Sequence, residues 1–474
     1  MIQSPKKYVE LPFILIVIVL TGLAARWFSW PGFATHDTLF ITREAVEGHY
    51  TTYHPLLNAL LVRLLAVPFD SYWLYTSLQI IWCCAVLYRS FVHSLFRQVT
   101  PGAAWIAVLL WALSLHTLLY LGIIWKDVLI AYGLVFIAAL IYRLRSQTDY
   151  RPTPLDAVLL GVCLFLCLGL RHGMAFNAIL VPALIGWRRV VKVGRLWVPM
   201  ALALLGFAAL QMLGSTRLVQ NDDAHLLSLK ISAVSQPFLG IVTNKNGYTS
   251  DDYDYDRRLA ERTFGKAYAE QFTPDYFRNN VVPASKDELE RAYRAILKRT
   301  PRLCATNFSL CVSARTQMFL GTLQPSTSFG GMTFYDLGTF EECGSVFGMS
   351  PAQCAVLEEF ETSEKSKAAL GLQRNVQARL VESRTLFVKL LAWNLLPALA
   401  LLAAMLIFGR AFSPAWLVAA FFTVQLALPF MTAMANDFRY YYFLFPFAVV
   451  FAPQAIEEML KVIRSERIVS SDER

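Results

Sequence analysis

Ten stretches of the chain are almost wholly apolar: 11–30, 72–92, 101–119, 124–141, 155–170, 174–187, 196–214, 386–408, 414–434 and 440–456. Several reach the roughly 20 residues that a helix needs to cross the hydrocarbon of a bilayer. The shorter 155–170 and 174–187 suffice when their polar ends sit at the interface. Only a helix satisfies its own backbone in lipid, so the pattern predicts an all-α polytopic membrane protein of about ten spans. Three regions follow: an N-terminal membrane domain (residues 1–214), a polar region (215–384), and C-terminal helices with a tail (385–474).

Between the runs, the pattern predicts smaller elements. The first loop, 31–70, contains Tyr53-His54-Pro55-Leu56-Leu57, which opens an apolar helix to about Val67. That helix carries Arg63 and would invert every later loop if it crossed, so a re-entrant or interfacial helix is expected. Ser285-Lys286-Asp287-Glu288 forms a capping box ahead of residues whose charges alternate at helical spacing to 299. Asp251-Asp252-Tyr253-Asp254-Tyr255-Asp256 lacks the full calcium-loop pattern and is expected as a solvated loop. Residues 323–339, rich in Gly, Ser, Thr and Phe, are expected to be irregular. No internal repeat is evident, which weakens a repeat-built transporter.

Charge orients these elements. Only 16% of the 474 residues are charged, against about a quarter in a soluble chain. Lys6 and Lys7 place the N-terminus inside. Alternate counting then puts inside the loops with Arg89 and Arg97, with Arg143, Arg145 and Arg151, and with Arg188, Arg189, Lys192 and Arg195, as well as the C-terminal tail. Region 215–384 falls outside with 20 basic and 20 acidic residues, so the net +9 belongs to the rest of the chain. That excess marks a cytoplasmic face and calls for no nucleic-acid partner. Leu23-Ala24-Ala25 mimics a signal-cleavage site, but apolar character continues through Trp27, Phe28 and Trp30.

Cys83, Cys84, Cys163 and Cys167 lie in apolar runs, whereas Cys304, Cys311, Cys343 and Cys354 lie in the long polar region. An even count there fits an oxidising compartment; 304–311 with 343–354 is the local pairing among three connectivities. A zinc site is the rival, and it lacks both a C-x-x-C pair and nearby His. Paired external cysteines and short basic loops fit a bacterial inner membrane, with both termini cytoplasmic and the long region periplasmic.

The chemistry lies in polar clusters that this topology puts on the external face: His36-Asp37, His54-Pro55, Trp125-Lys126-Asp127, Arg171-His172 and Asn436-Asp437-Phe438-Arg439-Tyr440. Asp37 at the water–lipid boundary reads as a general base, a metal ligand or a loop charge. Lys126 at a helix N-terminus opposes the helix dipole, a conflict that a bound anion would relieve. Arg171 and Arg439 read singly as snorkelling residues and Tyr440 as an interface tyrosine; together with Lys126 they form a phosphate receptor. A carboxylate to activate an acceptor, cations for a phosphate leaving group and apolar walls for a lipid tail are what sugar transfer from a lipid-linked phosphosugar needs.

The order of these features resembles the GT-C superfamily of membrane glycosyltransferases, which includes protein mannosyltransferases and the enzyme adding aminoarabinose to lipid A. The resemblance rests on Asp37 in the first external loop, on Gly48, Tyr50, His54, Pro55 and Leu56, on Ile124-Trp125-Lys126-Asp127, and on Arg439-Tyr440. It covers roughly 10–215 and 386–456 and is weak in 215–384. His36-Asp37 replaces the acidic pair of many relatives, and one proline follows His54 where many have two. The resemblance implies an inverting transferase using a polyprenyl-phosphate sugar donor and a glycan, lipid or protein acceptor. Asp37 would be the base, Lys126, Arg171, Arg439 and Tyr440 the donor-phosphate contacts, and His36, His54, Asp127 and His172 contacts to donor or acceptor. No cofactor is firmly implied; a divalent metal would fall to Asp37 and Asp127, and Lys126 favours the metal-free type. The alternative is a transporter or flippase for a lipid or polar solute, and a third reading is an assembly protein whose external domain binds a partner.

Overall fold

A computed structural model describes residues 10–33, 36–51, 54–95, 101–186, 194–215, 224–244, 247–249, 252–266, 281–282, 284–323, 371, 375, 395–432 and 438–472. Among these residues the fold is all-helical. The helices are α1 (Glu10–Phe28), α2 (His36–Glu47), α3 (Leu56–Leu65), α4 (Trp73–Ser94), α5 (Pro101–Leu113), α6 (Leu115–Tyr120), α7 (Lys126–Ser146), α8 (Pro154–Leu170) and α9 (Asn177–Ile185). There follow α10 (Gly194–Gly214), α11 (Ala224–Val242), α12 (Tyr253–Phe264), α13 (Lys286–Thr306), α14 (Phe308–Leu323), α15 (Leu396–Phe408), α16 (Pro414–Thr432) and α17 (Leu444–Asp472).

Among the described residues, four stretches are long and apolar enough to cross a membrane: Leu11–Phe28, Lys126–Ser146, Arg195–Gly214 and Pro414–Met431. Shorter apolar helices cover Leu56–Phe69, Ala104–Leu113, Pro154–Leu170 and Leu396–Phe408. These lengths are consistent with a membrane protein. Two expected spans are broken up. The run 101–119 divides at Ser114, whose extended backbone separates α5 from α6. In 174–187 only the nine residues of α9 are α-helical, and Gly186 ends them at φ +93°.

Helix α7 is the axis of the fold. Every side chain from Asp127 to Tyr142 is buried, as befits a helix that is apolar on all sides and enclosed by neighbours. It packs against α4, α8, α16 and α17. At its C-terminal end a polar staple joins α4 to α8. The fully buried Asp156 pairs with Arg89 and accepts from Tyr150 Oη at 2.8 Å and from Thr153 N and Oγ1 at 2.9 and 2.8 Å; His93 Nε2 lies 2.9 Å away. Five partners on one carboxylate satisfy its acceptor capacity, so this buried charge is a structural joint. A reciprocal amide pair, Asn177–Gln425, links α9 to α16.

The region 215–384 has its own hydrophobic core, formed by α11 to α14 around Phe238, Phe264 and Ile296. The capping box at Ser285 starts α13 as expected. Cys304 and Cys311 are bonded, joining α13 to α14; Cys343, Cys354 and the stretch 324–339 lie outside the described residues. The acidic run is corrected. Asp252 precedes α12 and accepts from Arg299 at 2.9 Å, and Asp256 is fully buried, held by Arg299 at 2.6 and 2.8 Å and by Tyr248 at 2.5 Å. An arginine 43 positions away turned an expected solvated loop into a helix start. Asp251 lies outside the described residues.

Candidate functional site

The site grows from the crossing of two loops. Phe33 N–H donates to the Gly122 carbonyl at 2.9 Å, and Ile124 N–H donates back to the Phe33 carbonyl at 3.1 Å, a parallel bridge between the first loop and the approach to α7. Gln79 on α4 holds the same approach by donating to the carbonyls of Leu121 and Ile123 at 2.9 and 2.6 Å. A methyl on Gly122 would lie 2.0 Å from Ser29 Cβ, so only glycine admits this contact. Thr38 donates to the Ile124 carbonyl at 3.3 Å and docks the first turn of α2. Asp37, the neighbour of Thr38, is thereby brought to the approach to α7.

Two ion pairs close the site. Arg439, from the 3-10 turn Phe438–Tyr441, pairs with Asp37. Arg171, which caps the C-terminus of α8, pairs with Asp127 at 3.2 Å. Tyr440 lies between them, with the Arg439 guanidinium 5.2 Å and the Arg171 guanidinium 5.5 Å from its ring centroid. Arg439 also sits 5.4 Å from the Trp125 ring. Cations over aromatic faces gain from the ring quadrupole, so the rings hold both guanidiniums in register. Lys126, half-buried at the first position of α7, makes no ion pair with any described residue.

Distant sequence clusters thus meet: Asp37 and Trp125 contact Arg439, Asp127 contacts Arg171, and both arginines lie over Tyr440, with Lys126 between Trp125 and Asp127 in the chain. His54 is buried just ahead of α3. The side chains of His36 and His172 lie outside the described set, as do residues Tyr53, Asn436 and Asp437. The arginines expected to await a phosphate are instead seated on the two carboxylates.

Sequence reasoning missed α2 and Glu44. Glu44 lies seven residues after Asp37, on the same side of α2, and is buried. Its Oε1 accepts from Thr51 N at 3.2 Å and from Thr51 Oγ1, fastening the turn that leads to His54. Burial raises this carboxyl to about 7. The one signal in the sequence was spacing, since Glu44 stands in helical register with Asp37.

Asp37 and Asp127, to which a divalent metal would fall, each pair with a guanidinium in this structure. Comparisons with family profiles, curated proteins and solved structures return no match.

Proposed function

We propose that this protein is an inverting glycosyltransferase that moves a sugar from a polyprenyl-phosphate donor to an acceptor at one face of the membrane. The observation that carries this reading is that Arg439, paired with Asp37, and Arg171, paired with Asp127 next to Lys126, lie over one ring, Tyr440, at the ends of helices rather than at mid-span. A transporter would be expected to hold its charges near the bilayer midplane on broken helices.

In this reading the acceptor hydroxyl gives its proton to the Asp37 carboxylate as its oxygen attacks the anomeric carbon. The C–O bond to phosphate breaks on the opposite side, and the departing phosphate gathers negative charge. Lys126, at the positive end of α7, meets that charge together with backbone N–H groups. Arg171 and Arg439 can each shift from carboxylate to phosphate over the Tyr440 ring. Such contacts strengthen as the leaving group charges up, which is how they lower the barrier. The reading extends to about ten spans, with 215–384 on the periplasmic side of a bacterial inner membrane and both termini in the cytoplasm.

Native mass spectrometry of wild type and Asp37→Asn side by side tests it. A co-purifying polyprenyl phosphate in wild type and its sugar-charged form in the variant are expected. Unimpaired sugar transfer by Asp37→Asn would sink the assignment of the base.

A further inference from the structure

Behind the Asp37–Arg439 pair stands a file of aromatic rings. The Arg439 guanidinium lies 5.4 Å from the Trp125 centroid and 5.2 Å from that of Tyr440. Tyr120 meets Trp125 edge-on, with centroids 5.4 Å apart and planes at 75°. Tyr120 also stacks on Tyr442, at 4.3 Å and 16°. Tyr442 N–H donates to the Arg439 carbonyl at 3.3 Å. The contacts therefore close on themselves: Arg439, Trp125, Tyr120, Tyr442, and back to Arg439 through one short turn of chain. This circuit is anchored in the core. Trp111 Nε1 donates to Tyr132 Oη at 2.9 Å, and the hydroxyls of Tyr132 and Tyr442 lie 3.5 Å apart. Trp111, Tyr120, Tyr132 and Tyr442 are fully buried, and Trp125 is buried with them.

An ion pair alone would suffice to hold Arg439 on Asp37. The aromatic faces add an attraction that does not depend on which anion the guanidinium holds, because the ring quadrupole acts on the cation itself. A guanidinium that leaves a carboxylate for a phosphate then exchanges one charged partner for another and keeps its rings. Without them, the long and freely rotating arginine stem would have to be ordered anew on the phosphate. Holding it in advance removes that cost from binding.

We propose that Trp125, Tyr120 and Tyr442 are positioning residues, which hold the Arg439 guanidinium in place for the phosphate of the lipid-linked substrate. Trp125 seats the cation, and Tyr120, in contact with both other rings, fixes Trp125 against the segment that carries Arg439. This rests on the transferase reading above.

The test uses the full-length protein in lipid nanodiscs, titrated with undecaprenyl phosphate and, as the uncharged control, with undecaprenol. Wild type, Tyr120→Phe, Tyr120→Leu, Arg439→Gln and the double variant Tyr120→Leu/Arg439→Gln are compared, all well below their melting temperatures. Wild type should prefer the phosphate lipid to the alcohol. Tyr120→Leu should weaken phosphate-lipid binding by about threefold to thirtyfold, the range of the cation–π contact that Trp125 makes. Tyr120→Phe keeps the ring and should bind like wild type; a loss equal to that in Tyr120→Leu would overturn the role of the ring. The deciding readout is the cycle. With Arg439 already replaced, Tyr120→Leu should cost nothing further, whereas a general loosening of the fold would cost as much in either background. Equal losses in the two backgrounds overturn the proposal. So does unchanged binding in Tyr120→Leu, and weakened binding in Arg439→Gln within the same series then spares the reading of the site. Wild type without preference for the phosphate lipid overturns both. Should Tyr120→Leu fail to fold, Trp125→Phe, whose face attracts a cation less than indole does, takes its place in the cycle and is read in the same way.

Discussion

Neutralising Arg439 tests how strongly the site is tied to the fold. The Arg439 and Asp37 side chains are 12% and 18% exposed, so the pair is largely removed from water. At an effective dielectric of about 20, unit charges about 4 Å apart attract by about 4 kcal/mol. Residual solvent access reduces this, and we expect a coupling of about 2–3 kcal/mol. Arg439→Gln leaves Asp37 buried beside an uncharged amide, and Asp37→Asn leaves Arg439 in the same position. Each single change should cost about 2–4 kcal/mol, with the pair removed together costing less than the two costs combined. The assay is reversible unfolding in mixed detergent micelles, read by tryptophan fluorescence, for wild type, both single variants and the double variant. A coupling below about 0.5 kcal/mol would refute the reasoning, since that is the level at which unconnected sites simply add.

Other outcomes follow from the same geometry. Asp156→Asn takes the charge from a carboxylate that serves Arg89, His93, Tyr150 and Thr153, and should cost about 3–5 kcal/mol in the same unfolding assay. Glu44, at about 7 in the fold against an ordinary 4.5, binds its proton more tightly when folded. Its contribution is therefore full below pH 4.5 and lost as pH rises through 7, by about 3 kcal/mol at most. A melting series from pH 4.5 to 8.5 should show that decline in wild type and a flatter profile in Glu44→Gln; identical profiles would exclude Glu44 as the source. Gly122→Ala places a methyl against Ser29 and should cost about 1–3 kcal/mol, with Ser29→Gly in the same chain recovering most of it, measured as melting temperature.

Much of this architecture was legible in the sequence because the features concerned are local. Apolar runs announced α1, α4, α7 and α16, and Ser285 with Glu288 announced the start of α13. The polar clusters were legible as a group because topology alone assigns them to one face. What the sequence did not carry was who pairs with whom. Asp37 could not be assigned to Arg439, nor Asp256 to Arg299, because those partners are chosen by packing across the fold. Helix α2 escaped notice because its polar Thr38, Thr42 and Glu44 are buried against other elements, which hides the apolar stripe that reveals an amphipathic helix. The break at Ser114 is likewise a tertiary effect, since nothing in Trp111-Ala112-Leu113-Ser114-Leu115 forbids a continuous helix.

The Asp37–Arg439 pair joins residues 402 positions apart. A ribosome reading this message therefore finishes the carboxylate long before it makes the guanidinium. Throughout that interval the nascent chain carries Asp37 without Arg439, until the turn at 438–441 is made. The pair forms only once Arg439 has been made, and a product cut short anywhere before it is a bundle of helices without this pair.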